Sequence, residues 1–413
     1  MQKKLLCIST VWPEANATAA GTRLLGVLEF FKSDGYQIYI AATSTDEKLR
    51  TAIQELDFTT ERILLNSSSF DHYVRNLSPE IVLFDRFISE EQFGWRVREL
   101  IPNALRILDT EDLHSLRSAR ENASKNESDF NLSSWMNLEL SKRELASIFR
   151  SDLSLIVSSF EYEQLITNFT VPSFLLYLLP ITYEHITKEV QEVQASFEQR
   201  SGYVFIGNGF HKPNIDAIKW LYESIWPEIL KTLPQATVEI YGAYLPKQIL
   251  QLHHPKKGFY IKGQIPKVAN AMEKARVNFA PLRFGAGIKG KILEGFRHGV
   301  PNITTPIGAE GMQYNEFWPG LITQEASAFA QKAIQLYQDK NLWEEKRQLG
   351  YTYINNFFSK ELHRNTFLET IKILLATLEN HRTKNFIGNM LSQQAFQASK
   401  FLSLWITEKN KNH

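Results

Sequence analysis

The chain of 413 residues has one cysteine, almost no net charge and no long apolar run. The lone Cys7 excludes an intramolecular disulfide framework and a cysteine-based zinc cage, and its run Leu5-Leu6-Cys7-Ile8 reads as buried hydrophobe. Lysine plus arginine total 46 against 45 aspartate plus glutamate, a formal charge of +1, so no global basic field is available to hold nucleic acid. The longest mid-chain apolar stretch, Phe174 to Leu179, falls far short of the ~20 residues that cross a bilayer. The apolar run after Met1-Gln2-Lys3-Lys4 ends at Ile8 with no small-residue cleavage site, so no secretion signal is read. Asn-x-Ser/Thr triplets such as Asn16-Ala17-Thr18 are then chance matches. A cytoplasmic chain is expected, with transient peripheral contact at the inner face of a membrane left open.

What is present is ordinary globular composition, 43% hydrophobic and 22% charged, in a length that suits two to three domains at about 150 residues each. Short Ile/Val/Leu runs alternate with amphipathic stretches. In the first half the runs are Leu5–Ile8, Ile38–Ala41, Ile63–Leu65, Ile81–Phe84, Leu105–Leu108 and Leu153–Val157. In the second they are Tyr203–Ile206, Thr237–Tyr241, Phe259–Ile261, Val277–Ala280, Asn302–Thr305 and Leu321–Thr323. Runs of this kind read as parallel strands buried on both faces, and two βα series predict two doubly wound α/β domains. Helices are expected over Ile215–Leu230, with Pro213 near the start, and over Ile288–His298. The stretch Ile181–Arg200 lacks strand character and is rich in Glu and Gln. The domains are therefore expected at 1–195 and 196–382, with a helical tail over 383–413.

The most informative window is Val277 to Pro301. A buried strand ends at Pro281, Gly285-Ala286-Gly287-Ile288-Lys289-Gly290 turns, and a helix follows with Lys291 and Glu294. Glycines let backbone N–H groups approach an anion, a helix N-terminus adds partial positive charge, and two lysines add formal charge. A diphosphate with a ribose beyond it suits this arrangement. The string also satisfies G-x-G-x-x-G, but that dinucleotide fingerprint belongs to the first strand–helix turn of its domain. Here it follows about the fourth strand and carries two lysines, which disfavours a dehydrogenase.

The residues Pro281 to Glu294, His298-Gly299-Val300-Pro301 and Thr304 to Gly311 together resemble the donor-site signature of family four glycosyltransferases, which have the GT-B fold. Phe205-Ile206-Gly207-Asn208 with Lys212-Pro213-Asn214, and Phe259 to Ile265, resemble the start and the base-binding loop of that family's C-terminal domain. The resemblance runs from about Gly202 to Phe358 and is only topological before that. It implies transfer of a sugar from a UDP- or GDP-linked donor to a glycan, a lipid-linked acceptor or a cell-envelope or exopolysaccharide precursor, with retention, no metal and no cofactor. It assigns the donor to Gly21, Gly207, Asn208, Lys212, Gln264, Ile265, Gly285, Gly287, Ile288, Lys289, Lys291 and Glu294. Glu294 would bind the ribose, and Lys289 or Lys291 would neutralise the diphosphate.

By the same resemblance His114 faces the donor sugar, and Arg23 and Asp109 serve the acceptor. One departure stands out: the family's first carboxylate, eight positions before Glu294, is Ala286 here. The bland alternatives are a surface pair of Lys291 and Glu294 three residues apart, a Gly21 that merely permits a turn, and acids at Asp109–Asp112 that start a helix. That acidic run alone does not establish a metal site. The first histidine is His72, so the N-terminal loop holds no histidine base of the kind inverting GT-B enzymes often use. Two other functions remain open: a nucleotide-sugar epimerase or hydrolase of the same fold, and a non-catalytic nucleotide-sugar binder.

Overall fold

The computed structural model describes residues 2–14, 19–314 and 317–411, with side chains throughout except those of 394–399 and 411. The triplet Asn16-Ala17-Thr18 and the last two residues of the polar tail lie outside them.

Seven strands form the first sheet: β1 (Lys4–Ser9), β2 (Gln37–Ala42), β3 (Thr59–Arg62), β4 (Ile81–Asp85), β5 (Leu105–Asp109), β6 (Leu153–Ile156) and β7 (Leu176–Leu178). They pair in the order β3-β2-β1-β4-β5-β6-β7, and every pairing is parallel. The second sheet comprises β8 (Tyr203–Ile206), β9 (Val238–Tyr241), β10 (Phe259–Gly263), β11 (Val277–Ala280), β12 (Asn302–Thr304) and β13 (Leu321–Ile322). Its order is β10-β9-β8-β11-β12-β13, again parallel. Every residue of β4, β5 and β11 is buried, as expected of strands covered by helices on both faces.

Two local expectations are corrected, and one run gains an assignment. The third strand lies at Thr59–Arg62, not Ile63–Leu65. Pairing with β2 fixes its register at Tyr39↔Thr59, and the β-branched threonines suit an edge strand. Ile63 is buried just past it, whereas Leu64 and Leu65 are exposed. The helix expected from Ile215 starts at Lys212 and passes through a π-helical turn at Leu221–Ile225 before resuming at Trp226. Pro227 lacks an N–H and its ring crowds the preceding turn, and the widened turn absorbs the conflict without ending the helix. The run Phe174–Leu179 contains β7.

The domain limits also change. Helix Lys360–Ala376 was expected with the second domain, yet Phe367, Leu368, Ile371 and Leu374 are buried in the first-domain core beside Leu5, Phe30 and Phe31. Phe367 meets Phe31 edge-on, with ring centroids 5.4 Å apart. Burying such side chains contributes roughly 1.5–3 kcal/mol each, enough to hold the helix on the far domain. Where the chain returns, Tyr183 N donates to Phe358 O at 2.7 Å and Lys360 N to Tyr183 O at 2.8 Å, so outgoing and returning segments zip together at the crossing. The tail stays with the first domain: Arg382 donates to both carboxylate oxygens of Asp152, at 2.7 and 2.8 Å.

Candidate active site

In each sheet the strand order reverses direction once, between β1 and β4 and between β8 and β11. Loops leaving the C-terminal ends of strands diverge at such a point and open a crevice where α/β proteins bind ligands. Gly207-Asn208 leaves β8 and Pro281 to Lys289 leaves β11, while Thr10 to Glu14 leaves β1 and Arg86 leaves β4. The β11 turn meets Asp112 and Glu161 of the first domain, so the C-terminal ends of the two sheets face each other across the domain interface.

The glycine-rich turn is the main point of contact. Gly287 has φ +63°, and a Cβ there would lie 2.8 Å from the Cβ of Asp112 in the first domain, so only glycine fits. Its N–H donates at 2.8 Å to Glu161 Oε1, which also accepts from Leu113 N at 3.1 Å. Glu161 stands three residues after Ser158, the spacing of a capping box, but its carboxylate spans the domains. Burial, with Asp112 adding to it, pushes Glu161 up to about 8. Arg120 donates to Gly285 O at 2.9 Å and pairs with Glu310 at 2.6 Å. Ala286, at the position of the absent carboxylate, packs against the first-domain apolar cluster, where an ionised side chain would be desolvated.

Lys289 departs from its expected role. Its ammonium donates to Gly287 O at 2.7 Å within the turn and is buried among the charges of Glu310, Arg120 and Glu161. Burial lowers it to about 8. Sequence reasoning missed this clamp of Arg120, Glu161 and Glu310. Glu161 carried a capping signal only, Glu310 was weighed only as an acid too far along to complete a dinucleotide fingerprint, and Arg120 gave no signal.

Lys291 lies in the first turn of helix Gly290–Arg297, which follows the glycine-rich turn. Its ammonium donates to Asn214 Oδ1 at 2.6 Å and lies 4.1 Å from the centroid of the Phe205 ring. Asn214 in turn donates to the Asn208 carbonyl at 2.9 Å, and a Cβ on Gly207 would meet Asn214 at 2.7 Å. The β8 loop, the helix after it and the β11 turn therefore converge on one cation. Burial and the neighbouring Lys289 charge push Lys291 down to about 7. Lys291 and Glu294 do not pair. Glu294 stands 3.3 Å from His298 Nε2 and 3.7 Å from Arg297, and shares a hydrogen bond with Tyr183. Burial opposes its charge, yet those three groups hold its carboxyl below the usual range. It is therefore ionised and mostly sheltered, with side-chain exposure of 19%.

The remaining donor candidates are distributed around this centre. Ile288 packs against the cluster of Ile292, Phe296 and Tyr183 behind the turn. Ile265 joins Ile206 and Tyr241 over the cluster of Val204 and Met272, and Gln264 beside it is exposed. Lys212 is exposed and pairs at 2.7 Å with Glu121 of the first domain. It bridges the domains at the surface.

Two of the first-domain candidates, Arg23 and Asp109, depart from their expected roles. Arg23 is buried, paired with Asp109 and, at 3.3 Å, with Glu111, while its remaining nitrogens donate to Leu179 O. Neither Arg23 nor Asp109 is free to meet an acceptor, because each neutralises the other inside the domain. Gly21 is a close-approach position, since a Cβ there would overlap the Glu14 backbone, and it borders open space. His114 opens helix His114–Lys125 with its ring edge-on to Phe87 and 3.6 Å from Asp112. Burial drives it down to about 4 despite that carboxylate, so it is neutral at pH 7.

The open space lies beside these residues. A cavity of about 70 Å³, open to solvent, is lined by Trp12, Glu14, Gly21, Asp85 and Arg86 among others. Asp85 accepts from Ser9 Oγ at 2.5 Å, and its other oxygen has no hydrogen-bond partner. Arg86 (φ +66°) and Glu111 (φ +58°) are both left-handed without being glycine, at the ends of β4 and β5. Glu14 also hydrogen-bonds Tyr244 of the second domain, whose ring stacks on Phe210 at 4.4 Å. Among the described residues, no three His, Cys, Asp or Glu side chains are grouped so as to hold a metal ion.

Residues 200–339 match the family of glycosyl transferases group 1. No curated protein matches the sequence. Among solved structures, the chain is similar to a glycosyltransferase from Rickettsia africae at TM-score 0.64 and 14% identity, over 91% of this chain and 99% of that one. Sucrose-phosphate synthase from Thermosynechococcus elongatus aligns at 0.67 and 15% identity, over 91% of this chain and 100% of that one. Anabaena HepE in complex with UDP-glucose aligns at 0.64 and 13%, over 90% and 100%. At these identities the structural likeness establishes the fold, and the family match covers the second domain. With the strand order and the paired crevices, these likenesses give the chain the GT-B fold, and residues 200–339, which carry the glycine-rich turn, match the glycosyl transferases group 1 model.

Proposed function

We propose that the protein moves a sugar from a nucleoside diphosphate donor, UDP- or GDP-linked, to an acceptor hydroxyl held by the first domain, with retention and without a metal. The observation that carries this reading is the convergence of Gly207-Asn208, Asn214 and Lys291 at the β8/β11 crevice, with Glu294 one turn farther along the same helix. Lys291 would meet the diphosphate, Glu294 the ribose hydroxyls, and the Gln264-Ile265 segment the base. The acceptor would enter the cavity of Trp12, Glu14, Asp85 and Arg86.

In the reaction the bond between the anomeric carbon and the phosphate oxygen breaks, and its electron pair stays on the diphosphate. The acceptor oxygen bonds to that carbon, and its proton passes to the departing phosphate oxygen. Charge grows on the leaving group, so a desolvated ammonium preplaced there stabilises the transition state more than the ground state. Contact between the domains at Gly287 excludes water that would otherwise hydrolyse the donor.

The test is thermal unfolding with UDP, GDP and their sugars, since a bound donor raises stability by mass action. One nucleotide series is expected to stabilise the protein. Glu294→Ala is expected to weaken that binding at least about tenfold while the protein stays folded, because one hydrogen bond to a charged group contributes roughly 1.5–3 kcal/mol. No shift with any nucleotide, or unchanged binding in the variant, defeats the assignment. Release of free sugar or an epimer without acceptor would mark a hydrolase or epimerase instead. NMR of the product linkage reads retention directly.

A further inference from the structure

The peptides of the glycine-rich turn are held one by one. Arg120 donates to Gly285 O at 2.9 Å, Gly287 N donates to Glu161 Oε1 at 2.8 Å, and Lys289 donates to Gly287 O at 2.7 Å. In a trans peptide the C=O and the N–H point opposite ways, and no described peptide bond is cis. Drawing Gly285 O to Arg120 therefore turns the N–H of Ala286 away from that arginine. Drawing Gly287 O to Lys289 turns the N–H of Ile288 away likewise. Among the described residues, nothing accepts from either N–H. Burial alternates in step: Gly285, Gly287 and Lys289 are buried, whereas Ala286 and Ile288 between them are half-buried. Two unpaired amides one residue apart, around a left-handed glycine, have the chemistry of an anion site.

Two of the three holds come from the other domain. Glu161 stands in the first turn of helix Ser159–Thr167, and its Oε1 also accepts from Leu113 N at 3.1 Å. The same helix end grips the second domain again, where Ser159 Oγ donates to Gly311 O at 3.1 Å. Arg120 is fixed by Glu310 at 2.6 Å and by the rings of Phe130 and Phe160, each 5.2 Å from its guanidinium carbon. At pH 7 Glu161, pushed up to about 8, is mostly the neutral acid. It holds the turn by hydrogen bonding and sets little negative charge beside a diphosphate.

We propose that Glu161 and Arg120 are positioning residues for the donor, setting the peptides of residues 285–288 so that the N–H groups of Ala286 and Ile288 meet the diphosphate. This rests on the donor site of the proposed function and deepens it: the first domain controls donor affinity through the turn, without touching the donor. The test is titration calorimetry of the full chain with UDP and with GDP at pH 7. Glu161→Ala strands two buried N–H groups and releases the turn, so it is expected to weaken whichever nucleotide the parent binds by about tenfold. Glu161→Gln keeps an accepting oxygen and is expected to stay within about twofold of the parent. Arg120→Met/Glu310→Met removes the other hold without leaving a buried charge unpaired, and about a fivefold loss is expected. Hydrogen exchange of the turn amides is expected to slow on nucleotide binding in the parent and not in Glu161→Ala. A Glu161 that serves stability alone would lower the unfolding temperature and leave affinity untouched, and that result overturns the proposal. So does a glutamine variant as weak as the alanine one. If Glu161→Ala does not fold, unchanged affinity in the double methionine variant overturns it equally. A parent that binds neither nucleotide removes the donor site and this proposal with it, whereas a parent that binds while every variant binds as well defeats this proposal alone.

Discussion

The two crevices are built from similar residue types used in opposite ways. At β8/β11 the cation Lys291 and the carboxylate Glu294 do not meet, so both retain capacity for a ligand. At β1/β4 the cation Arg23 is consumed by Asp109 and Glu111 beneath the surface, and the open cavity lies beside that pair. One crevice keeps its charges available, whereas the other uses them to hold its walls. Charged residues at the C-terminal ends of strands are therefore ambiguous until their partners are known.

The largest test of this contrast is Arg23→Met. Removing one member of a buried ionic cluster costs about 3–5 kcal/mol, because Asp109 and Glu111 are left facing each other without water. A large fall in the thermal midpoint is expected. Burial pushes Glu111 well up from its ordinary value, with Asp109 adding to it. The variant's carboxyls would titrate higher in the folded than in the unfolded chain, so its stability rises as pH falls and protons neutralise them. A stable variant with weakened acceptor use alone would restore Arg23 to the acceptor site.

Next in size is the pH dependence of donor binding. Lys291 lies near 7 in the free protein, and a bound diphosphate raises it toward the ordinary lysine value. Binding therefore takes up a proton above pH 7, and affinity is expected to fall by up to about tenfold per pH unit there. Titration calorimetry in buffers of different ionisation enthalpy reads that proton, and Lys291→Met abolishes it. A pH-independent affinity would place the phosphates elsewhere.

The smallest effect is expected at the bridge between the crevices. Lys212 and Glu121 form an exposed pair, which contributes about 0–1 kcal/mol. Lys212→Ala is expected to leave unfolding nearly unchanged and nucleotide affinity within about threefold. A loss as large as that of Glu294→Ala would return Lys212 to the phosphates.

Much of the fold was legible because a parallel strand buried on both faces leaves a contiguous record, as Leu105–Leu108 and Val277–Ala280 do. Edge strand β3 was misplaced because, half exposed, it carries no apolar run and takes its register from β2. The return of helix Lys360–Ala376 to the first domain was invisible, since its apolar stripe would suit either core. In the candidate site Lys291 and Glu294 could be found because a helix fixes their spacing. The clamp of Arg120, Glu161 and Glu310 could not, since its members are up to 190 residues apart.

The sequence by itself determined two parallel sheets and a glycine-rich turn ahead of a helix with a cation and an acid, because periodicity and turn chemistry act over a few neighbouring residues. Only the tertiary structure decided which charges stay free. It buried Arg23 against Asp109, spent Lys289 inside its own turn and left Lys291 beside Asn214. Whether a charged group serves a ligand or the fold depends on what stands within about 4 Å of it, and those neighbours come from distant parts of the chain.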